Sequence, residues 1–522
     1  MLARVRSAAV LGIDAYPVDV EIDLANGLPS FSTVGLPHGA VKEGRERVTA
    51  ALANSGFELP LRRITANLAP ADVPKAGSAF DLPIAVGILV ASGQLAAPSL
   101  ERGFLFGELG LEGDLRPVRG AVSLVAAARR VAADWVIVPA ANGGEGALVE
   151  GIAVYAADTL RDVADHLTGR RALPAATPRA SPEVRPELDA DLAEVRGQTL
   201  AKRALEVAAA GGHNLLLVGP PGAGKTMLAR RLPSILPQLD PAEALEVTKI
   251  HSVAGQLPAG GGLLTRRPFR APHHTISDAG MSGGGPHPRP GEVSLAHRGV
   301  LFLDELLEFR RNVLEVLRQP LEDGVVTLAR AAVAVAFPAR FLLAAAMNPC
   351  PCGHLGEPSG RCLCSPERVR GYRARLSGPL YDRIDIHLTV PAVTWQDIAS
   401  DESGDSSAVV RARIVAARAR QRARGQGQSG PTLNAHLTSR EADRWCRPDP
   451  EGRRLLGVAM AQAGWSARAY TRVLRVARTI ADLEGAAEVR APHLAEAIQY
   501  RTMDRVTGAA GRRPVEADTR PG

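Results

Sequence analysis

Residues Gly219, Pro220, Pro221, Gly222, Ala223, Gly224, Lys225 and Thr226 satisfy the G-x-x-x-x-G-K-[ST] pattern at every fixed position. Glycines at this spacing let backbone N–H groups turn inward around phosphate oxygens. The lysine then reaches the β- and γ-phosphates, and the threonine hydroxyl ligates Mg²⁺. The chemistry needs a strand to deliver the loop and a helix to carry it away. An apolar run, Asn214-Leu-Leu-Leu-Val218, reads as that strand, and Met227-Leu-Ala-Arg-Arg-Leu232 as the helix start. The spacing therefore predicts a nucleoside triphosphate site.

Two further apolar runs end in residues able to complete it. Gly299-Val-Leu-Phe-Leu reads as a buried parallel strand that delivers Asp304 and Glu305. Asp304 is suited to hold Mg²⁺, and Glu305 to polarise an attacking water. Phe341-Leu-Leu-Ala-Ala-Ala346 leads to Met347-Asn348-Pro349. Asn348 there either bonds the γ-phosphate or orients the water; the alternative is an ordinary turn residue before proline.

The rest of the chain bounds the setting. With 522 residues and 46% apolar content it is long enough for two or three domains. The balance of 62 Lys+Arg against 55 Asp+Glu fits either a polyanionic partner or an arginine-rich solvated surface. The Met1–Gly12 segment lacks the pattern of a secretory signal, and no apolar run is long enough to cross a bilayer, so the expected location is cytoplasmic. A proline-rich break at Arg170–Glu187 predicts a linker, and the acidic, serine-rich Ser400–Ser407 a second break. The expected organisation is a first domain over 1–170, a linker over 171–187, an ATPase core over 188–399, a helical segment over 408–506 and a disordered tail over 507–522.

Taken together, these motifs resemble the AAA+ ATPases, in the clade of magnesium-chelatase ATPase subunits and MCM helicases. That resemblance implies ATP and Mg²⁺ as cofactors, an α/β P-loop core and a C-terminal helical lid. Leu380-Tyr-Asp-Arg383-Ile-Asp385 is similar to the clade's arginine-finger segment, so Arg383 is expected to enter a neighbouring subunit's site. Ser466-Ala-Arg468-Ala-Tyr resembles its second sensor helix, with Arg468 reaching back to the nucleotide. Asp191-Leu-Ala-Glu-Val195-Arg-Gly-Gln198 resembles the adenine-packing segment, with Val195 and Gln198 as contacts.

A narrower resemblance rests on Arg267–Thr275, Gly291–Gly299 and Met347-Asn-Pro-Cys-Pro-Cys-Gly353. These look like the bacterial ComM/YifB family of magnesium chelatase-like proteins, over almost the whole chain. The family implies a homo-hexameric ATPase that moves on DNA and promotes branch migration in recombination or transformation, with recombination proteins as further partners. The alternative is a chelatase- or MoxR-type ATPase that remodels a protein partner.

Residues 1–170 resemble the Lon-protease-like fold of the ribosomal-S5 type, an α+β domain. Gly107–Val122 follows the Lon pattern around its catalytic lysine, and Val73–Ile84 the segment around its serine. The lysine position falls on Val122, which cannot act as a base, so Ser78 has no partner and no proteolysis is expected.

Cys350, Cys352, Cys362 and Cys364 form two C-x-C pairs; such thiolates can hold structural Zn²⁺, or the segment is a cysteine-rich loop without metal. His354 stands by as a further ligand, and Cys446 reads as a core residue. His273 and His274 fit either DNA phosphate contact and coupling to hydrolysis, or local packing. Gly283–Gly291, with Arg289, reads as a pore-lining loop, and Val325–Val335 as a hairpin with Arg330 at its tip. With only 4% aromatic residues, any DNA contact is expected to run through phosphates and to weaken with salt.

Overall fold

The computed structural model describes residues 1–178, 190–258, 262–285, 288–329, 334–357, 360–393, 404–425 and 433–501, apart from residues 38, 74 and 76. Arg330, most of the expected linker (179–187) and the expected tail (507–522) lie outside the described residues.

The three continuous apolar runs form the inner strands of one five-stranded sheet. Its order across the sheet is Phe269–Arg270, Val300–Leu303, Leu342–Met347, Leu215–Val218 and Ile386–Thr389. Every neighbouring pair is parallel, with Leu215 opposite both Ala344 and Ile386. Both faces are covered, which is why the strands carry no polar alternation. Leu215, Leu217, Phe302 and Ala344 enter one apolar core, while Leu216, Leu301, Leu343 and Ala345 enter the core on the other face. Because all five strands run the same way, every strand ends at one edge of the sheet and begins at the other.

Five helices, Ser407–Arg424, Ser439–Trp445, Pro450–Ala463, Ala467–Glu484 and Ala491–Gln499, follow the sheet. Four start at side-chain caps, Ser406, Thr438, Asp449 and Ser466, each accepting a first-turn N–H. Val473, Leu474, Ala477 and Ile480 of the fourth helix join the core of the sheet's first face.

The N-terminal region has its own layers. One sheet has the order Leu2–Leu11, Asp14–Ala25, Arg63–Ala69, Ser30–Val34, antiparallel except for the last pair. Three parallel strands, Gly103–Leu105, Trp135–Pro139 and Ala153–Ala157, form another. The Asp81–Ala91 helix is buried along almost its whole length and packs on Leu2–Leu11, Asp14–Ala25 and the Ala40–Asn54 helix. Val122 is completely buried in the Ala121–Arg130 helix. That helix packs on Pro241–Ala254, with the Gly120 N–H donating to Ser252 O at 3.3 Å. The Ser252 hydroxyl donates to Glu145, and Lys249 pairs with Asp14 at 3.1 Å across the same junction.

The two segments read as loop and hairpin take definite forms. Gly283–Gly284 pairs antiparallel with Arg289–Pro290, and Val325–Ala329 with Ala334–Pro338. Among the described residues, no helix is long and apolar enough to cross a membrane.

Candidate functional site

Three strands deliver their chemistry to the same edge. Gly219–Thr226 follows Val218, Asp304 and Glu305 follow Leu303, and Asn348 follows Met347. Gly222 and Gly224 have φ of +78° and +80°, a left-handed backbone that side chains resist. A Cβ at Gly222 would meet nothing within 4 Å, so its backbone conformation rather than crowding favours glycine there. Lys225 and Thr226 begin a helix, and their N–H groups have no intrahelical acceptor.

Lys225 is buried, and its Nζ donates to Gly219 O (2.6 Å), Pro220 O (2.8 Å) and Asn348 Oδ1 (3.2 Å). Burial pulls its ammonium below the ordinary lysine value, against the opposing pull of Asp304 and Glu305. The Thr226 hydroxyl donates to Asp304 Oδ2 at 2.6 Å. A hydroxyl and a carboxylate oxygen held this close form the donor set that Mg²⁺ takes beside a bound triphosphate. Glu305 sits at φ +51°, unusual for a side chain that is not glycine, and its N–H donates to Asp304 Oδ1 at 2.9 Å. The Glu305 carboxylate is largely exposed, 3.4 Å from His274 Nδ1. His274 in turn stacks on His273, with ring centroids 4.1 Å apart. Sequence reasoning named both histidines but gave no reason to connect either with Glu305.

The adenine-side expectation divides. Gln198, at φ +49°, donates from Nε2 to Ala223 O at 2.7 Å and so touches the phosphate loop directly. Val195 as a whole is completely buried in the core of the sheet's first face.

The arginines lie elsewhere. Arg383 precedes Ile386–Thr389, a strand parallel to Leu215–Val218, so it stands at the edge where strands begin. Its guanidinium is held by Glu322 and by Pro379 O at 2.6 Å. Arg468 stands one helical turn from Arg472, which donates to Asp385 Oδ1 at 2.8 Å on that same edge. Arg383, Arg468, Arg472 and Arg475 line one cavity of about 300 Å³ with Glu322 and Asp382, and no phosphate-loop residue lines it. Arg468 thus lines the arginine cavity, and its helix is anchored through Arg472 at the edge opposite the phosphate loop. The anchor is buried. Although burial pushes the Asp385 carboxyl up, His213 (3.2 Å) and Arg472 hold it below the ordinary carboxylate range.

The cysteines converge. Sγ atoms of Cys350, Cys352 and Cys362 are 3.4–3.7 Å apart, and all four sulfurs, with Cys364, lie within 4.8 Å of one another. Four sulfurs about 2.3 Å from one tetrahedral Zn²⁺ would be about 3.8 Å apart, so the cluster fits that ion. His354 instead bonds Glu357 at 3.1 Å, outside the four-sulfur set. Cys446 is buried alone, and burial pushes its thiol up to about 12.

A phosphate loop at the end of an inner strand of a parallel sheet defines an α/β protein of the P-loop type. Sequence comparison then narrows the class. Family models described as magnesium chelatase, subunit ChlI match residues 191–398, with the subunit's C-terminal part at 404–501 and a further ChlI model at 20–142. The chain is 46% identical to YifB of Salmonella typhimurium and 45% identical to competence protein ComM of Haemophilus influenzae, each over 97% of this chain and 98% of the relative. The magnesium-chelatase 38 kDa subunit of Rhodobacter capsulatus is 25% identical over 29% of this chain and 48% of its own length. The chain belongs to the ComM/YifB family of magnesium chelatase-like proteins.

Proposed function

We propose that this chain is an AAA+ ATPase that hydrolyses ATP with Mg²⁺ between the subunits of a homo-hexameric ring and moves on DNA, promoting branch migration in homologous recombination or DNA transformation. One observation carries the intersubunit part: the nucleotide-holding residues and the arginine cavity occupy opposite edges of one sheet. A ring joins the two edges head to tail, which is the heterologous contact a closed cycle needs.

In this reading Lys225, Thr226 and the phosphate-loop amides hold the triphosphate and Asp304 holds the metal. Glu305 turns from His274 to an attacking water, which Asn348 orients. Arg383 and Arg468 of the neighbouring subunit stabilise the charge that develops on the γ-phosphate. Structural Zn²⁺ in the four-cysteine set stiffens the loop beyond Asn348. Residues 1–170 act as a Lon-like, non-peptidase domain docked on the ATPase core through Gly120, Glu145 and Ser252. Residues 408–506 act as the helical lid.

The DNA part rests on the similarity to competence protein ComM along nearly the whole chain. The shorter, weaker similarity to a magnesium chelatase subunit favours remodelling of a protein partner less. The test is ATP turnover with synthetic branched and single-stranded DNA, together with migration of a synthetic four-way junction. The reading predicts DNA-stimulated hydrolysis and ATP-dependent migration, both falling steeply as salt rises. Turnover indifferent to DNA at low salt would exclude the motor.

A further inference from the structure

The four-cysteine loop touches the phosphate loop at two points, and each contact carries position from one to the other. The first is Gly353, the residue after Cys352. It adopts φ +86° and lies so close to Pro221 that a Cβ there would stand 2.6 Å from Pro221 Cδ and 2.9 Å from Cγ. The second is the chain itself: Cys350, completely buried, follows Asn348 by two residues, and Asn348 holds Lys225 Nζ at 3.2 Å. The loop is closed at its base by Arg373, whose Nε donates to Pro349 O at 3.2 Å from the helix Pro366–Arg373 that follows Cys364.

Among the described residues of the loop, the leucines do not hold it in shape. Leu363 is 93% exposed and Leu355 37%, so its described hydrophobic side chains contribute no core of their own. The sulfurs supply the order instead. The Sγ atoms of Cys350, Cys352, Cys362 and Cys364 all lie within 4.8 Å of one another. Thiolates packed this closely repel one another unless a cation sits between them. A segment with no core of its own, shaped by four converging sulfurs, takes its shape from the metal.

We propose that the Cys350–Cys364 loop is a metal-set strut for the nucleotide site: Zn²⁺ bound by the four cysteines presses Gly353 against Pro221 and fixes Asn348 against Lys225, so that zinc occupancy controls nucleotide affinity. This rests on the zinc and nucleotide assignments above. Loss of the ion frees the loop, releases Pro221 and lets Asn348 swing from Lys225. The site then weakens although no nucleotide contact has been mutated.

The experiment uses the full chain. Zinc content is measured by mass spectrometry, and affinity with a fluorescent ATP analogue, for the wild type before and after chelation, for Cys362→Ser and for Gly353→Ala. The strut predicts one zinc per chain, and an affinity loss of about tenfold or more on chelation or in Cys362→Ser, the size typical of lost supporting contacts. Gly353→Ala is expected to keep its zinc while losing affinity and some melting temperature, because the added methyl meets Pro221 and the left-handed backbone resists a side chain. Adding Pro221→Ala to it should recover part of the loss, as a double-mutant cycle through a shared contact requires. Zinc removal with unchanged affinity would overturn the strut. A wild-type chain without zinc that binds the analogue normally would overturn the metal assignment on which it rests. Failure of the zinc-loaded wild type to bind the analogue would instead overturn the nucleotide reading itself.

Discussion

The two edges of the central sheet are built from the same kind of strand but end in opposite chemistry. Where the strands finish, a lysine, a threonine, two acids and an asparagine come together, and their contacts with one another run from 2.6 to 3.2 Å. Where the strands begin, four arginines line a cavity that holds no phosphate-binding loop. The first edge is suited to bind a triphosphate. The second has the cations and nothing for them to act on. In the function proposed above, each edge supplies what the other lacks, so that one chain would hold two halves of a site.

Breaking the first edge should have the largest effect. Lys225→Ala should abolish nucleotide binding. Glu305→Gln should leave binding near normal and slow turnover about 10³-fold, the usual scale for losing a general base. An equal fall in affinity, read by titration, would instead assign Glu305 to binding.

Breaking the second edge should look different. Arg383→Ala should lower turnover about 10³-fold, as loss of an arginine finger does, with nucleotide affinity almost unchanged in isolated chains. Arg468→Ala should behave alike, with a loss of about 100-fold. If Arg468→Ala weakened nucleotide binding in a monomeric preparation, the arginine would belong to its own subunit's site.

The positioning of the arginine edge can be tested apart from its chemistry. Asp385→Asn leaves Arg472 without its buried partner and should destabilise the protein by about 3 kcal/mol, seen as a lower melting temperature. The folded Asp385 carboxyl titrates below its unfolded value, so its contribution is present above about pH 4 and is lost as the pH falls below that. The variant should therefore lose less stability than the wild type on acidification through that range. A smaller effect is expected from Glu322→Gln, which frees Arg383 from its pair and should raise turnover by no more than about fivefold.

The contrast between the edges also explains what the sequence revealed. The strand-end residues were legible because each directly follows a continuous apolar run. A parallel sheet brings such ends together without further information, and the phosphate-loop pattern names its own chemistry. The cysteine cluster was half legible: the C-x-C spacing gathered the sulfurs on paper, but nothing in it linked Gly353 to Pro221. The arginine edge was least legible. Arg383 and Arg468 are far apart in sequence and resemble any exposed arginine, so only the direction of the Ile386–Thr389 strand and the Arg472–Asp385 anchor assign them an edge. The pair between His274 and Glu305 was invisible for a similar reason, since it depends on how a segment of irregular backbone folds back over the sheet edge.

The complementarity of the two edges is tested most directly by mixing two dead proteins. One carries Lys225→Ala; the other carries Arg383→Ala with Arg468→Ala. If the edges of neighbouring subunits form one site, random mixing at equal amounts restores both halves at about a quarter of the interfaces, and turnover returns in proportion. If both edges serve the same chain, mixed rings show no more turnover than either parent, and the two-halves account fails.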